Sequence, residues 1–419
     1  MNRFKTYLAL SVLPLSFTMT VSAQSVDQGE LQATVRSIGQ LVTDLGDELG
    51  NVLKSIDVEA LARDAEKLAS LSEQRTREIT RELEQVELTP LIRESESLAQ
   101  EIAQLDWQRL LEQPDAMMNF GYQKEKVTEY SYPINSRQSV NIDNRYGKIT
   151  INNWAKNEVK VVVTIRTAED SERRAQEALD RVHINQSQSG NAISFKTAIE
   201  SGDSNWWSML TSGGGDRALR VDYDIYLPKR NELVLANRYG AIELSDRDGK
   251  VDVSVSYGSL HAGHLNGVGN SLSVAYSKAA VEYLNEGDVS VRYGGFTLSE
   301  AEKLTLAMSY SSSGKIGKIN QRADISLRYS SGFEMGLGPA IQKASVAASY
   351  SNIHIRPASD AAFNFDVAVS YGGFDYDRNH INIGSKSESH TSASYSGYWN
   401  KAVDNVVSVS ARYGAVSLK

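Results

Sequence analysis

The chain has 419 residues, no cysteine and a formal net charge of −8 at pH 7. The lack of cysteine excludes disulfides and lipid attachment of the bacterial lipoprotein kind. The charge is uneven, because residues 24–114 hold 19 acidic and 9 basic side chains whereas residues 115–419 hold 33 of each. No basic stripe suited to a phosphate backbone results, so nucleic acid is not an expected partner.

The first 23 residues have the pattern of a secretory signal peptide. Arg3 and Lys5 precede an apolar run over residues 8–17, and small residues at 21–23 suit cleavage before Gln24. The apolar run is too short to span a bilayer well, so we expect no transmembrane segment in the mature chain. An exported protein of the periplasm or the cell surface is predicted.

Residues 24–113 form a predicted acidic, amphipathic helical segment. Their first apolar series has the three- and four-residue spacing of one helix face and comprises Ile38, Leu41, Leu45, Leu49, Leu53 and Ile56. Two more series follow, over residues 61–86 and, after Pro90, over residues 91–105. Such helices can form a bundle, a coiled coil between subunits, or a layer on the rest of the chain. A linker is predicted over residues 114–124.

A tyrosine followed by glycine or serine recurs through residues 239–419. The repeated tyrosines are Tyr239, Tyr257, Tyr276, Tyr293, Tyr310, Tyr329, Tyr350, Tyr371, Tyr395 and Tyr413, at steps of 18, 19, 17, 17, 19, 21, 21, 24 and 18 residues. A period near 20 is typical of stacked repeats.

Each repeat alternates apolar and polar residues on both sides of its tyrosine. Val289 and Val291 precede Tyr293, whereas Phe296 and Leu298 follow it. The alternation predicts two strands with one buried face, and its shift after the tyrosine predicts a corner. We expect the tyrosine to occupy the core-facing register and the following glycine to provide the unusual backbone angles.

Two-strand units of this length bury their inner face only by stacking. The predicted fold is therefore mainly β, a single-stranded β-solenoid resembling a parallel β-helix, with about ten Tyr-Gly rungs after the α-helical N-terminal extension. The tyrosines would form a ladder of rings along one corner, each ring pair adding roughly 0.5–1.5 kcal/mol. The alternative is a row of sugar-stacking platforms; the alternation favours the structural ladder.

An eleventh corner, Tyr146, lies 93 residues before Tyr239 within the same Asn-Arg-Tyr-Gly motif. Residues 125–238 are therefore interpreted as the first rung plus an insertion of strands and a helix that caps the solenoid. The insertion contains a polar loop with Trp206 and Trp207, which is either an exposed contact loop or part of the cap. Residues 239–419 are the solenoid repeats.

Residues 144–154, together with residues 157–161, resemble the opening of the bacterial putative-adhesin β-strand-repeat family, and the later repeats are similar to its body. The resemblance covers roughly residues 125–419. It implies a β-solenoid and a cell-envelope setting, and brings no functional residues with it.

Catalytic motifs are scarce, so no catalytic, cofactor-binding or metal site is predicted. The histidines are His183, His261, His264, His354, His380 and His390, and none forms a metalloprotease pair. His261 and His264 lack a nearby third ligand, and residues 246–249 are too short for a calcium loop. A polysaccharide-acting β-helix enzyme using aspartates such as Asp366, Asp375 and Asp377 is the runner-up.

The favoured interpretation is an exported, non-enzymatic cell-envelope β-solenoid, an adhesin-like binding or structural protein. A periplasmic regulatory or envelope-stress binding partner is a further alternative. Partners would be an envelope protein or a surface glycan. Because the last rung ends at Leu418 with no cap after it, we expect an open C-terminal edge, shielded by self-association or by the N-terminal helices.

Overall fold

The computed structural model describes residues 122–200 and 218–419. The predicted signal peptide, the helical segment over residues 24–113, most of the linker, and Trp206 and Trp207 lie outside the described residues. What is described is mainly β, with one α-helix among those residues. None of their helices is long and apolar enough to cross a membrane.

The first part contains the Tyr146 corner and the insertion. Its elements are β1 (Tyr122–Pro133), β2 (Ser139–Arg145), β3 (Ile149–Asn153), β4 (Glu158–Glu169), α1 (Glu172–Asp180), β5 (Val182–Ser189), β6 (Ala192–Ile199) and β7 (Ala218–Leu227). Helix α1 begins after Ser171, whose side chain accepts a hydrogen bond from the backbone N–H of Arg174. It buries only Ala175 and Leu179.

The remaining strands carry the repeats. They are β8 (Leu233–Arg238), β9 (Ala241–Leu244), β10 (Val251–Ser256), β11 (Ser259–Leu265), β12 (Asn270–Ala275), β13 (Lys278–Arg292), β14 (Gly295–Ser309), β15 (Ser313–Arg328), β16 (Phe333–Leu337), β17 (Lys343–Ser349), β18 (Ile353–Pro357), β19 (Phe363–Ser370), β20 (Phe374–Tyr376), β21 (Ile381–Glu388), β22 (Ser392–Trp399), β23 (Val406–Arg412) and β24 (Val416–Leu418).

Each strand that precedes a corner tyrosine pairs in parallel with its counterparts in neighbouring repeats. This first ladder runs β2, β8, β10, β12, then the second halves of β13, β14 and β15, then β17, β23 and β19. A second parallel ladder joins the strands after the tyrosines, from β3 and β9 to β24 and β20. We call a tyrosine and its two flanking strands a rung.

The hydrophobic core lies on the inner faces of the two ladders. In β13, alternate residues such as Val281, Val289 and Val291 are buried while the residues between them are more exposed. The register aligns like with like, because Val291 pairs with Val274 in β12 and with Met308 in β14. Alternation at period two therefore predicts the buried face correctly.

The spatial order of the rungs differs from the chain order at one place. Strand β23 pairs with β17 on one side and with β19 on the other, and β24 lies likewise between β18 and β20. The last rung in sequence is therefore inserted between the rungs of Tyr350 and Tyr371. The expectation of an open edge at the C-terminal rung is wrong, because both ladder edges of that rung are paired.

Antiparallel strands end the first ladder. At one end, β6 pairs in parallel with β2, and β5 pairs antiparallel with β6. At the other end, β22 pairs antiparallel with β19, and β21 pairs antiparallel with β22. The second ladder continues through β7 to the antiparallel strands β4 and β1 at one end, and stops at the three-residue β20 at the other. Very short or charged edge strands hinder edge-to-edge association.

Candidate functional site: the tyrosine corner

The corner between the two ladders is built by tyrosines in a left-handed backbone conformation. Ten of them have φ between 49° and 64°. They are Tyr146, Tyr239, Tyr257, Tyr276, Tyr293, Tyr310, Tyr329, Tyr350, Tyr371 and Tyr413. A bulky residue rarely adopts this conformation, which costs roughly 1–2 kcal/mol. It also rotates the side chain out of the core-facing register that the sequence predicts.

The ten rings form one continuous stack. Neighbouring ring centroids lie 4.7–5.2 Å apart, with interplanar angles of 3–18°. The order follows space and not sequence, because the ring of Tyr413 lies between those of Tyr350 and Tyr371. This tyrosine stack spans nine steps, about 43 Å at the usual strand spacing.

At the corners where glycine follows the tyrosine, close packing between rungs leaves no room for a side chain. A Cβ atom on Gly258 would lie 1.9 Å from the carbonyl oxygen of Gly240, and one on Gly294 would lie 2.1 Å from that of Ser277. None of these corner glycines needs a positive φ. The tyrosine therefore makes the turn, and the glycine lets the neighbouring rung approach.

The asparagine of the Asn-Arg-Tyr-Gly motif bonds to the neighbouring rung. Asn144 Nδ2 donates to the carbonyl of Val221 at 2.9 Å, and Asn237 Nδ2 donates to that of Gly147 at 2.8 Å. Both side chains are buried. The motif thus fastens the first two rungs to each other and to the insertion.

Stacking leaves the edges of the rings, and not their faces, for a ligand. Each inner ring has a neighbour on both faces, as Tyr293 has Tyr276 and Tyr310. Exposure is greatest at one end, where Tyr350 is 50% and Tyr371 is 56% exposed. A sugar stacked on each ring face is therefore incompatible with this arrangement, whereas a chain that lies along the ring edges fits it.

Burial raises the pKa of several stacked tyrosines. Tyr257, Tyr276 and Tyr293 each have a raised pKa, caused first by burial and then by a neighbouring tyrosine of the stack. Tyr146 shows the same effect more strongly. The hydroxyls of these four tyrosines therefore remain neutral hydrogen-bonding groups well above neutral pH.

Tyr395 does not belong to the stack. It lies in the antiparallel strand β22, where its ring contacts Phe374 at 5.1 Å and Tyr376 at 6.4 Å. Its hydroxyl donates to Glu388 at 2.9 Å. The prediction of a corner at Tyr395 is corrected, since no left-handed turn occurs there.

Of the carboxylates considered for catalysis, Asp366 lies apart from the other two. Asp366 lies on the outer face of the first ladder, whereas Asp375 lies on β20 and pairs with Lys419. Asp377 lies 3.6 Å from His380. Among residues 122–200 and 218–419, no three His, Asp or Glu side chains are grouped as metal ligands require.

The turn at residues 246–249 contains a buried arginine that sequence reasoning missed. Arg247 is fully buried; its Nη1 donates to Asn153 Oδ1 at 2.8 Å, and its Nη2 donates to the carbonyls of Pro228 and Asn231. Burial lowers its pKa to about 10. The flanking carboxylates of Asp246 and Asp248 accept hydrogen bonds from the next rung. The turn therefore links rungs and does not form a calcium loop.

No family model matches the sequence, and no curated protein matches it. Similar solved structures include a "putative adhesin" from Parabacteroides merdae, at 9% identity and a TM-score of 0.34, with 70% of this chain and 96% of that chain covered. A "putative cell adhesion protein" from Clostridium sporogenes is similar at 12% identity and a TM-score of 0.19, with 71% and 99% covered.

A third similar structure is a "putative lipid binding protein" from Parabacteroides distasonis, at 8% identity and a TM-score of 0.37, with 71% of this chain and 97% of that chain covered. The names describe those proteins. At such identities and TM-scores, neither activity nor ligand carries over to this chain.

Proposed function

We propose that this chain is an exported, non-enzymatic binding protein of the bacterial cell envelope. Its two parallel ladders would be the walls of a single-stranded β-solenoid. The observation that carries the proposal is the tyrosine stack, which repeats one chemical group at strand spacing over ten rungs. A regular row of this kind suits an extended, repeating polymer better than a single small substrate.

The chemistry of the row points to hydrogen bonding. The ring faces are occupied by stacking, so a ligand meets phenol edges and hydroxyls. Each hydroxyl can both donate and accept, which matches the hydroxyl groups of a surface glycan. Asp366 lies on the first ladder whereas Asp375 lies on β20 of the second, and this separation supports binding over hydrolysis.

The test removes hydroxyls and keeps the rings. Tyr310, Tyr350 and Tyr371 are exposed, and the triple Tyr→Phe variant retains every stacking contact. With about 1 kcal/mol per hydrogen bond, we expect at least about tenfold weaker binding of the full chain to envelope polysaccharides in pull-down and interferometry assays. Tyr226→Phe, an exposed position outside the stack, is the matched control.

Two results would overturn the proposal. The first is equal polysaccharide binding by the wild type and the triple variant. The second is release of reducing sugar ends by the wild type, which would favour the enzyme. Protease digestion of intact cells, compared with cells whose outer membrane is opened, reports whether the chain is outside the cell or in the periplasm.

A further inference from the structure

The outer faces of the two ladders differ in whether their charged side chains form ion pairs. On the second ladder, charged side chains pair across rungs, as in Lys148 with Glu243, Lys318 with Glu300, Arg356 with Glu334, and Lys419 with Asp375. On the first ladder, rows of charge near the tyrosine stack have no such partners among the described residues. Across a protein interface, charged groups are arranged so that opposite charges meet.

The first of these rows lies directly before the tyrosines. Its members in spatial order are Arg145, Arg238, Ser256, Ala275, Arg292, Ser309, Arg328, Ser349, Arg412 and Ser370. All five arginines are exposed. We call this the arginine row.

The row two residues earlier is almost entirely small. Its members are Asp143, Ala236, Ser254, Ser273, Ser290, Ala307, Ser326, Ala347, Ser410 and Ala368. Asp143 is paired with Lys196. This small row lets another sheet approach closely.

The next row lies two residues before the small row and carries the charge opposite to that of the arginine row. It contains Asp252, Asp288, Asp324 and Asp366, separated by uncharged residues, and we call it the aspartate row. It lies four residues, about 13 Å, from the arginine row, which is too far for the two rows to pair within one chain. No ion pair among the described residues includes these aspartates or the five arginines.

The two rows coincide on two rungs. Arg292 and Asp288 share the rung of Tyr293, and Arg328 and Asp324 share the rung of Tyr329. We propose that the outer face of the first ladder is a self-association surface that binds a second copy of this chain face to face. A two-fold axis running along the stack, above the small row, keeps each rung opposite the same rung.

That symmetry places each charge opposite its counterpart. Arg292 of one copy faces Asp288 of the other, Arg328 faces Asp324, and each pair occurs twice. A two-fold axis along the strands would instead set arginine against arginine. Nearly parallel stacked rings indicate little rotation between rungs, so the rows stay aligned. The next row outward, with Arg322 and Lys343, then lies at the partner's tyrosine corner.

The first test is cross-linking of the full chain. Because the sequence has no cysteine, single Ser290→Cys and Ser326→Cys variants place one thiol each in the small row, opposite the same thiol in the partner. We expect a short bismaleimide to yield covalent dimers of both. Thr297→Cys, exposed on the second ladder, should stay monomeric under the same conditions. Cross-linking equal to that of Thr297→Cys would overturn the proposal.

The second test uses charge reversal. The Arg292→Glu/Arg328→Glu variant and the Asp288→Arg/Asp324→Arg variant should each self-associate at least about thirtyfold more weakly than the wild type in sedimentation. Mixed together they should form a heterodimer, because their altered rows are again complementary. Lys278→Glu/Lys315→Glu on the second ladder is the control. A wild-type monomer, or a dimer that both reversed variants retain, would overturn the surface.

Discussion

At the residue scale, the corner uses a residue that ordinarily avoids its conformation. Glycine or asparagine takes a left-handed turn at low cost, yet tyrosine occupies all ten of these positions. The cost of roughly 1–2 kcal/mol per residue is offset by stacking, since each inner ring contacts two others. The tyrosine is therefore retained for its ring and not for its backbone preference.

Because of this balance, glycine should be a less destabilising replacement than alanine at these positions, the reverse of their usual order inside a strand or helix. Tyr293→Ala removes two ring contacts and keeps the strained backbone, so we expect a loss of about 2–3 kcal/mol in the free energy of unfolding. Tyr293→Gly loses the same contacts but relieves the strain, and should be about 1 kcal/mol more stable than the alanine variant. Denaturant titration of both variants measures the difference.

The same two substitutions at Tyr226 provide the comparison. Tyr226 lies inside β7 with no positive φ, so glycine there should be less stable than alanine. If the alanine variant is the more stable one at Tyr293 as well, the left-handed backbone of Tyr293 is not strained.

Arg247 is the second residue whose role depends on its surroundings. Its two Nη atoms donate three hydrogen bonds to one side chain and two carbonyls. Lysine in Arg247→Lys offers one nitrogen and cannot reach all three acceptors, so we expect about 2–3 kcal/mol of destabilisation. Thermal unfolding measures it, with the exposed Arg137→Lys as control. Equal midpoints for the two variants would show that the fork geometry is unimportant.

At the element scale, local pattern explains the rungs but not their order. Alternation around Tyr293 correctly predicts which strand residues are buried, because a strand has only two faces. The insertion of β23 between β17 and β19 has no local signal, since every rung presents a similar apolar inner face. The burial of Arg247 likewise depends on a neighbouring turn, 16 to 19 residues away in the chain.

Nearest-neighbour stacking predicts that a whole rung can be removed. Residues 278–294 make up one repeat, and the register aligns Lys278 with Gly295. Their deletion joins Ser277 to Gly295 in the same register, so we expect a folded chain with an unchanged shape of the circular dichroism spectrum. Deleting residues 278–290 shifts the register by four residues and should prevent folding. Equal behaviour of the two deletions would contradict the repeat model.

The inserted rung makes a different prediction. Removal of residues 406–419 leaves β17, β18, β19 and β20 without the partners that separate them. We expect aggregation or strand exchange, because internal ladder edges become exposed. A synthetic peptide of residues 406–419, added in trans, should restore a non-aggregating chain, whereas the same peptide with Val407 and Val409 replaced by aspartate should not. A truncated chain as stable as the full chain would contradict the insertion.

At the scale of the whole molecule, the many tyrosines should make stability fall in alkali. Burial raises the pKa of Tyr257, Tyr276 and Tyr293 above the ordinary value of 10.0, so the unfolded chain loses these protons first. Their contribution is complete below about pH 10 and is lost as the pH rises through the folded values. Arg247 acts oppositely, because its pKa is lowered to about 10, but it is a single group. We therefore expect the denaturant midpoint to fall as the pH rises above about 10, with tyrosinate absorbance at 295 nm appearing together with unfolding. A Tyr276→Phe/Tyr293→Phe variant, which keeps the rings and lacks two phenols, should lose less stability over this range. An equal loss in that variant would place the alkaline sensitivity outside the stack.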